Sequence, residues 1–495
     1  MAGSELLVKL QRESGQPLWA QLEEALRESI HSGRLAPGAK LPPTRVLAGD
    51  LGVSRRLVVE AYAQLLAERY LVARRGAGTY VAEVSAATSG SADEPPATTP
   101  LSYDFFPGHP DLAGFPWRPW LRAMSETIAA VPHRRLGYDD VRGALELRHA
   151  LAEHLRRVRG VVADPRRIVV CSGAAQGLVL LARALDAPHV AMEDPSWPQL
   201  RRMLAAHGAR VSALPVDADG AQIAELAPIE RALGRPSAVF VTPAHQSPTG
   251  VALAPQRRAA LLDWAKGGGL VIEDDYDAEF RYDRPPLAAL QGLAPERVIY
   301  MGSASKTLAP ALRLGWLVLP THLVQRVVEQ RDVADRGAPT LEQMALARMI
   351  ESGAYHRHLR QARKRYRARR EALIGAVNRH LRGARVTGLA AGLHAIIRVP
   401  QEVAGAALVD AARRRSVGVY PLGGLFMNPR PVHDQLALGY ANLTESSIEE
   451  GIRRLADAVR ECMAASVGTS SPMTSSGRAI QSSSWCGDAV EAGSN

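Results

Sequence analysis

The sequence predicts a multidomain chain: a small, mostly helical winged helix-turn-helix first, then a large α/β domain with a largely parallel sheet. Three observations carry this. Residues 10–82 are dense in Leu, Arg and Glu with short helical periods; residues 83–102, "EVSAATSGSADEPPATTPLS", hold almost no large apolar side chain and read as a flexible linker; residues 103–463 alternate apolar runs with amphipathic stretches. The Ser/Gly-rich residues 464–495 read as a disordered tail. At 495 residues, two or more domains are expected.

In "PLWAQLEEALRESIHSG", Leu18, Leu22, Ala25, Leu26 and Ile30 share one helical face, and Gly33 ends the helix. Pro43 starts a second helix through "TRVLAGDL", Gly52 gives the turn, and Ser54 is placed to N-cap a third. That third helix buries Val58, Tyr62, Leu65 and Leu66. Helix, Gly-containing turn, helix is a helix-turn-helix pattern. Arg55 and Arg56 fall in the first turn of its second helix, where the macrodipole disfavours cations. The placement makes sense if that turn faces phosphates and base edges. "YLVARRGAGTYVA" adds two strands around Arg74, Arg75 and a Gly-Ala-Gly turn, a wing. The competing reading is a small helical interaction domain with solvated arginines.

In the large domain, "RIVVCSG", "HVAMED", "SAVFVTPA", "GLVIEDDY" and "RVIYMGSAS" are five strand-like runs, with helical stretches between most of them. Lys306, the only lysine between Lys266 and Lys364, follows the last run among Gly, Ser and Ala. A pyridoxal 5'-phosphate (PLP) site needs such a lysine, a carboxylate for the pyridine nitrogen, donors for a phosphate and a flat partner for the ring. Ser303, Ser305 and Arg313 are candidate phosphate ligands, and Gly173, Ala174 and Ala175 in "CSGAAQG" offer backbone N–H groups at a helix start. Asp274 and Asp275 end a strand, and Trp197 in "EDPSWPQL" can stack on the ring. Each signal alone is weak; the ordered set points to PLP.

Net charge is +10, compatible with a polyanionic partner. No stretch of 18 apolar residues occurs, and "MAGSELLVKLQRES" carries charges where a signal peptide is apolar, so a cytoplasmic protein without membrane contact is expected. Cys171, Cys462 and Cys486 suggest neither a disulfide framework nor a metal site.

Residues 17–82 resemble the winged helix-turn-helix of the GntR family of bacterial regulators along nearly the whole domain. The resemblance implies double-stranded operator DNA as partner, contacted by Arg45, Ser54, Arg55, Arg56, Arg75 and the wing at Gly78 and Thr79. Residues 103–463 resemble fold-type I aminotransferases through "PSWP", "SPTG", "EDDY" and "SASKTLAPALRLGW". This implies Lys306 as the Schiff-base lysine, Asp274 rather than Asp275 on the pyridine nitrogen, and Tyr276 near the ring hydroxyl. It also implies Trp197 stacked on the ring and Tyr138 reaching the cofactor of a partner subunit, hence a homodimer.

The combination resembles the MocR subgroup of regulators. Two departures from the enzyme pattern bear on turnover: Ser247 replaces an Asn before "PTG", and Ala437 replaces an arginine that clamps the substrate carboxylate. The expected function is therefore a PLP-binding transcriptional regulator and not an enzyme. Its effector is PLP itself, as in members controlling vitamin B6 synthesis, or an amino-acid-like molecule. The alternative is an active aminotransferase with an accessory DNA-binding domain. Residues 355–371 carry eight Lys/Arg and no acid before Glu371. They read as a solvated helix face, or as a second DNA surface through Arg363, Lys364 and Arg367.

Overall fold

The computed structural model describes residues 10–11, 15–74, 77–82, 101–282, 287–388, 391–400, 405–428 and 434–468. Arg75, most of the expected linker and residues 469–495 lie outside them. The chain forms two compact units, Met1–Thr99 and Pro100–Asn495.

The first unit is built on α1 (Leu18–His31), α2 (Thr44–Asp50) and α3 (Arg55–Ala67), then the strands β1 (Leu71–Arg74) and β2 (Gly78–Val81). Leu22 and Leu26 of α1 are buried with Leu47 of α2 and with Val58, Ala61, Tyr62 and Leu65 of α3 in one core. Gly52, at φ 63°, turns the chain between α2 and α3, a conformation that costs glycine little. Ser54 caps α3, its Oγ accepting the Leu57 N–H at 3.3 Å. β1 and β2 pair antiparallel, Arg74 opposite Gly78. Lys40 bridges Tyr80, and Leu41 N–H donates to Thr79 O at 2.9 Å, adding a third extended segment to the wing.

In the second unit, β3 (Tyr103–Asp104) leads through α4 (Trp117–Ala130) and α5 (Leu145–Arg159) to β4 (Ile168–Cys171) and α6 (Ala174–Ala184). β5 (His189–Asp194), α7 (Pro198–Ala206), β6 (Arg210–Asp217), β7 (Gly220–Ala221) and α8 (Leu226–Leu233) follow. Next come β8 (Ala238–Val241), α9 (Pro255–Lys266), β9 (Leu270–Asp275), β10 (Val298–Ser303) and β11 (Gly315–Val318). The sheet order is β4-β11-β10-β9-β8-β5-β6-β7. Its inner pairs β10–β9, β9–β8, β8–β5 and β5–β6 are parallel, whereas β11 runs antiparallel between β4 and β10. Alternate strand residues enter cores on opposite faces: Ile272, Ile299 and Met301 on one, Val271 and Val298 on the other.

The chain continues through α10 (Thr321–Asp335), α11 (Thr340–Glu351) and α12 (Ala354–His380) to a smaller antiparallel sheet. This sheet contains β12 (Arg385–Thr387), β13 (His394–Arg398), β15 (Tyr420–Pro421) and β16 (Gln435–Gly439), ordered β12-β13-β16-β15. α13 (Ala406–Arg414) and β14 (Val417–Gly418) lie between β13 and β15, and β14 pairs in parallel with β3. The last helix, α14 (Glu445–Gly468), runs past the tail boundary expected at Ala464, because Ala464 and Ala465 are strong helix formers. Among the described residues, no helix is long and apolar enough to cross a membrane.

Candidate functional site

At the C-terminal ends of the parallel strands lies a cavity of about 320 Å³ lined by Lys306, Asp274, Tyr276, Trp197, Ala174, Ala175, Ser303, Ser305 and Arg313, among others. Open parallel sheets place ligands at this edge because strand ends and helix starts meet there. Burial pushes the Lys306 ammonium pKa down, while Asp277 and Asp274 pull it back up. Cα of Gly108 lies so near that an added Cβ would stand 3.3 Å from Lys306 Nζ.

β9 ends in two carboxylates with different surroundings. Asp274 lines the cavity, and its buried Oδ1 has no hydrogen-bond partner among the described residues. Burial, helped by the charges of Asp275 and Asp277, raises its pKa to about 8. Asp275 turns away: its Oδ2 accepts from Arg159 Nε at 2.6 Å and from Tyr300 OH at 2.6 Å.

A cradle closes the other end. Gly173 (φ 84°) precedes α6, and Arg313 Nη2 donates to Ser172 O at 2.6 Å, tying the loop after β10 to the loop after β4. An added Cβ on Gly315 would lie 2.8 Å from Gly173 backbone atoms, so the closeness of the two loops requires glycine there. Ser305 N–H donates to Ser303 Oγ at 2.9 Å. Gln176, in the first turn of α6, accepts from Ser172 N–H at 2.6 Å and holds the loop.

Trp197 Nε1–H donates to Ser247 Oγ at 2.9 Å, so the serine at the expected Asn position orients the indole. Tyr276 OH lies 2.9 Å from His245 Nδ1, which also lies 2.9 Å from Asp277 Oδ2. Asp277, Gly108, Phe106, Glu193 and His394 carry no motif in the sequence, and His245 belongs to a motif loop without being singled out. His245 stands two residues before Ser247 of "SPTG", beside that motif. His394, on β13, and Phe106, Pro107 and Gly108, beside β3, reach the cavity only through tertiary structure.

Two candidates sit elsewhere. Tyr138 is 84% exposed and does not line this chain's cavity; its ring lies 4.5 Å from the Arg336 guanidinium carbon. Ala437, buried on β16 opposite Ile396, belongs to an apolar cluster with Ile396 and Leu422.

The basic stretch lies on α12, where Arg357, Arg360, Lys364 and Arg367 are exposed and Arg363, Arg365, Arg369 and Arg370 are wholly or partly buried, so the solvated reading holds for half of it. Arg363 donates to Glu279 O (3.0 Å from Nε), Arg367 Nη2 to Tyr282 O at 2.6 Å, and Arg365 Nε to Asp111 Oδ2 at 2.9 Å. Carbonyls of the segment after β9 need donors, and these guanidiniums supply them. Arg363 is thus half-buried on Glu279 O, whereas Arg367 reaches Tyr282 O from an exposed position and Lys364 is exposed.

In the first unit Arg45, Arg55 and Arg56 are exposed and make no ion pair among the described residues. Gly78 is exposed and Thr79 half-buried on the wing, where the Arg74 guanidinium stacks over Tyr80 at 4.8 Å.

Comparison with known proteins agrees with both units. Residues 109–455 match the family described as aminotransferase class I and II, and residues 18–81 match the bacterial regulatory proteins of the gntR family. The probable rhizopine catabolism regulatory protein MocR of Rhizobium meliloti is 35% identical over 479 residues, covering 91% of this chain and 96% of its own. The pyridoxine biosynthesis transcriptional regulator PdxR of Corynebacterium glutamicum is 33% identical over 453 residues, covering 89% and 95%. Among solved structures, kynurenine aminotransferase from Pyrococcus horikoshii superposes with a TM-score of 0.68 at 25% identity, covering 74% of this chain and 92% of its own. The α-aminoadipate aminotransferase LysN of Thermus thermophilus gives 0.66 at 27%, covering 73% and 93%. The chain therefore belongs to the MocR subgroup of GntR-family transcriptional regulators, a winged helix-turn-helix joined to a fold-type I aminotransferase-like domain.

Proposed function

We propose that this regulator holds PLP on Lys306, and that occupancy of the cavity sets the affinity of its winged helix-turn-helix for operator DNA. The observation that carries the reading is the convergence of Lys306, the unpartnered Asp274 Oδ1, Trp197 and the Ala174–Ser303–Arg313 cradle on one cavity. The residues fit the group. An orphaned carboxylate oxygen suits a pyridinium N–H, and the cradle suits a phosphate dianion.

When bound, PLP supplies an aldehyde that joins a primary amine and a pyridinium that withdraws electrons. The protein's own part is positioning. Burial shifts Lys306 toward the neutral, nucleophilic amine. Asp274 would hold the pyridine nitrogen protonated, Tyr276 with His245 and Asp277 behind it would fix the ring hydroxyl, and Trp197 would cover one ring face. Ala174, Ala175, Ser303, Ser305 and Arg313 would take the phosphate.

The effector reading favoured here is PLP itself, with control of vitamin B6 synthesis, supported by the likeness to the Corynebacterium regulator. Ala437 in its apolar cluster supplies no cation for a carboxylate, which weighs against an aminotransferase and against an amino-acid-like effector. A homodimer is supported by the exposed apolar side chains of Trp117, Leu121 and Ile128 along one face of α4, and by exposed Tyr138. Signal transfer is supported by Phe106, Pro107 and Gly108: the first stretch of the second unit lines the cavity, so a ligand there presses on backbone that leads back to the DNA-binding unit. Such a protein works in the cytoplasm, where its DNA is.

The test is the affinity for a duplex selected by the protein from a random-sequence pool, with and without PLP. Wild type should change affinity severalfold on adding PLP, and Lys306→Ala should not respond. Equal affinities in wild type with and without PLP would remove the sensor reading.

A further inference from the structure

The second unit has another cavity, of about 480 Å³, lined by Arg118 and Arg122 of α4, Arg348 of α11 and Arg357 of α12, with Glu126 as its one carboxylate. Arg122 Nε takes Glu126 at 2.8 Å, which neutralises one guanidinium. Arg118 and Arg348 have no ion pair or side-chain hydrogen bond among the described residues, and Arg357 has only the Ser352 carbonyl at 3.2 Å. Arg118 and Arg357 also stand in the first turns of α4 and α12, which contain no acid, so the helix macrodipole opposes both charges. Three cations without a counter-charge thus line one cavity, two of them exposed and at helix positions that favour an anion nearby.

We propose that this cavity binds phosphate groups. Guanidinium forks match phosphate oxygens in pairs, and three of them suit a dianion or two adjacent phosphates. The same chemistry has two sources here: a small phosphorylated molecule, or the phosphate backbone of DNA bound by the same chain. Neither requires PLP, so the inference stands apart from the Lys306 site.

The experiment compares the full chain with the variant Arg118→Gln/Arg348→Gln/Arg357→Gln. Pyrophosphate binding is followed by calorimetry, and binding to a long mixed-sequence duplex across a salt series. A small-molecule site predicts pyrophosphate binding at least about tenfold weaker in the variant, with the duplex salt slope unchanged. A DNA-backbone site predicts that the slope of log affinity against log salt flattens by about 2–3, about 0.9 per lost phosphate contact. Glu126→Gln, which frees Arg122, should tighten whichever ligand binds. These residues line a surface cavity, so an unchanged circular-dichroism spectrum serves as the folding control. If neither pyrophosphate affinity nor salt slope differs between wild type and both variants, the proposal is wrong.

Discussion

Asp274 and Asp275 are neighbours in sequence but serve opposite sides of β9: Asp274 opens onto the Lys306 cavity, and Asp275 is locked to Arg159 at 2.6 Å. Strand alternation makes this separation inevitable. Asp275→Ala should therefore unfold the protein more easily by about 3–5 kcal/mol, because the fully buried Arg159 loses its counter-charge. Asp274→Ala should raise cofactor-free stability at neutral pH, because a buried carboxyl that resists ionisation is removed, and should abolish PLP binding. Chemical denaturation and absorbance titration separate the two.

The same carboxyl makes stability depend on pH. Its folded pKa, about 8, lies above an unfolded value of about 3.9, so the native state binds the extra proton between those limits. Cofactor-free protein should lose stability as pH rises from about 4 to about 8. Glu193 and Glu273, raised to about 7 by burial, push the same way. Asp274→Asn should flatten part of that slope in melting temperatures across pH; an identical slope would contradict the assignment.

Capping and DNA contact can be separated at Ser54. Ser54→Ala should cost about 1 kcal/mol of stability in the first unit by losing the bond to Leu57 N–H. Ser54→Asp keeps a cap and adds a charge that suits the helix start, so stability should hold while duplex affinity falls. Thermal melts and gel-shift titrations read both arms.

Removing Arg55 and Arg56 should act in opposite directions on folding and binding. Arg55→Gln/Arg56→Gln relieves cations from the first turn of α3, stabilising by about 0.3–1 kcal/mol each. The same variant should weaken duplex binding and flatten its salt slope by about 2. By contrast, Arg363→Ala and Arg367→Ala should lower stability by about 1–3 kcal/mol, through the orphaned carbonyls of Glu279 and Tyr282, and leave the salt slope alone.

What was legible in the sequence follows the range of the forces involved. The five strand-like runs are continuous apolar segments and form β4, β5, β8, β9 and β10. Residues 315–318 form a short run behind Gly315, and nothing local says that it inserts antiparallel between β4 and β10. β6 carries Pro215, which weakens a strand signal, yet it lies near the sheet edge, where only the short β7 follows. Lys306, Asp274 and Trp197 carried motifs, whereas Gly108 and His394 are ordinary residues whose role depends on packing. The charge of α12 is visible in sequence, while the carbonyls of Glu279 and Tyr282 that Arg363 and Arg367 bond are not.

Whether Lys306 anchors the cofactor is tested most directly by covalent trapping. Protein incubated with PLP is reduced with borohydride, digested and mapped by mass spectrometry. A phosphopyridoxyl mass is expected on the peptide containing Lys306 in wild type and at no specific site in Lys306→Ala. Equal labelling of both proteins, or labelling in wild type confined to another lysine, would contradict that role of Lys306.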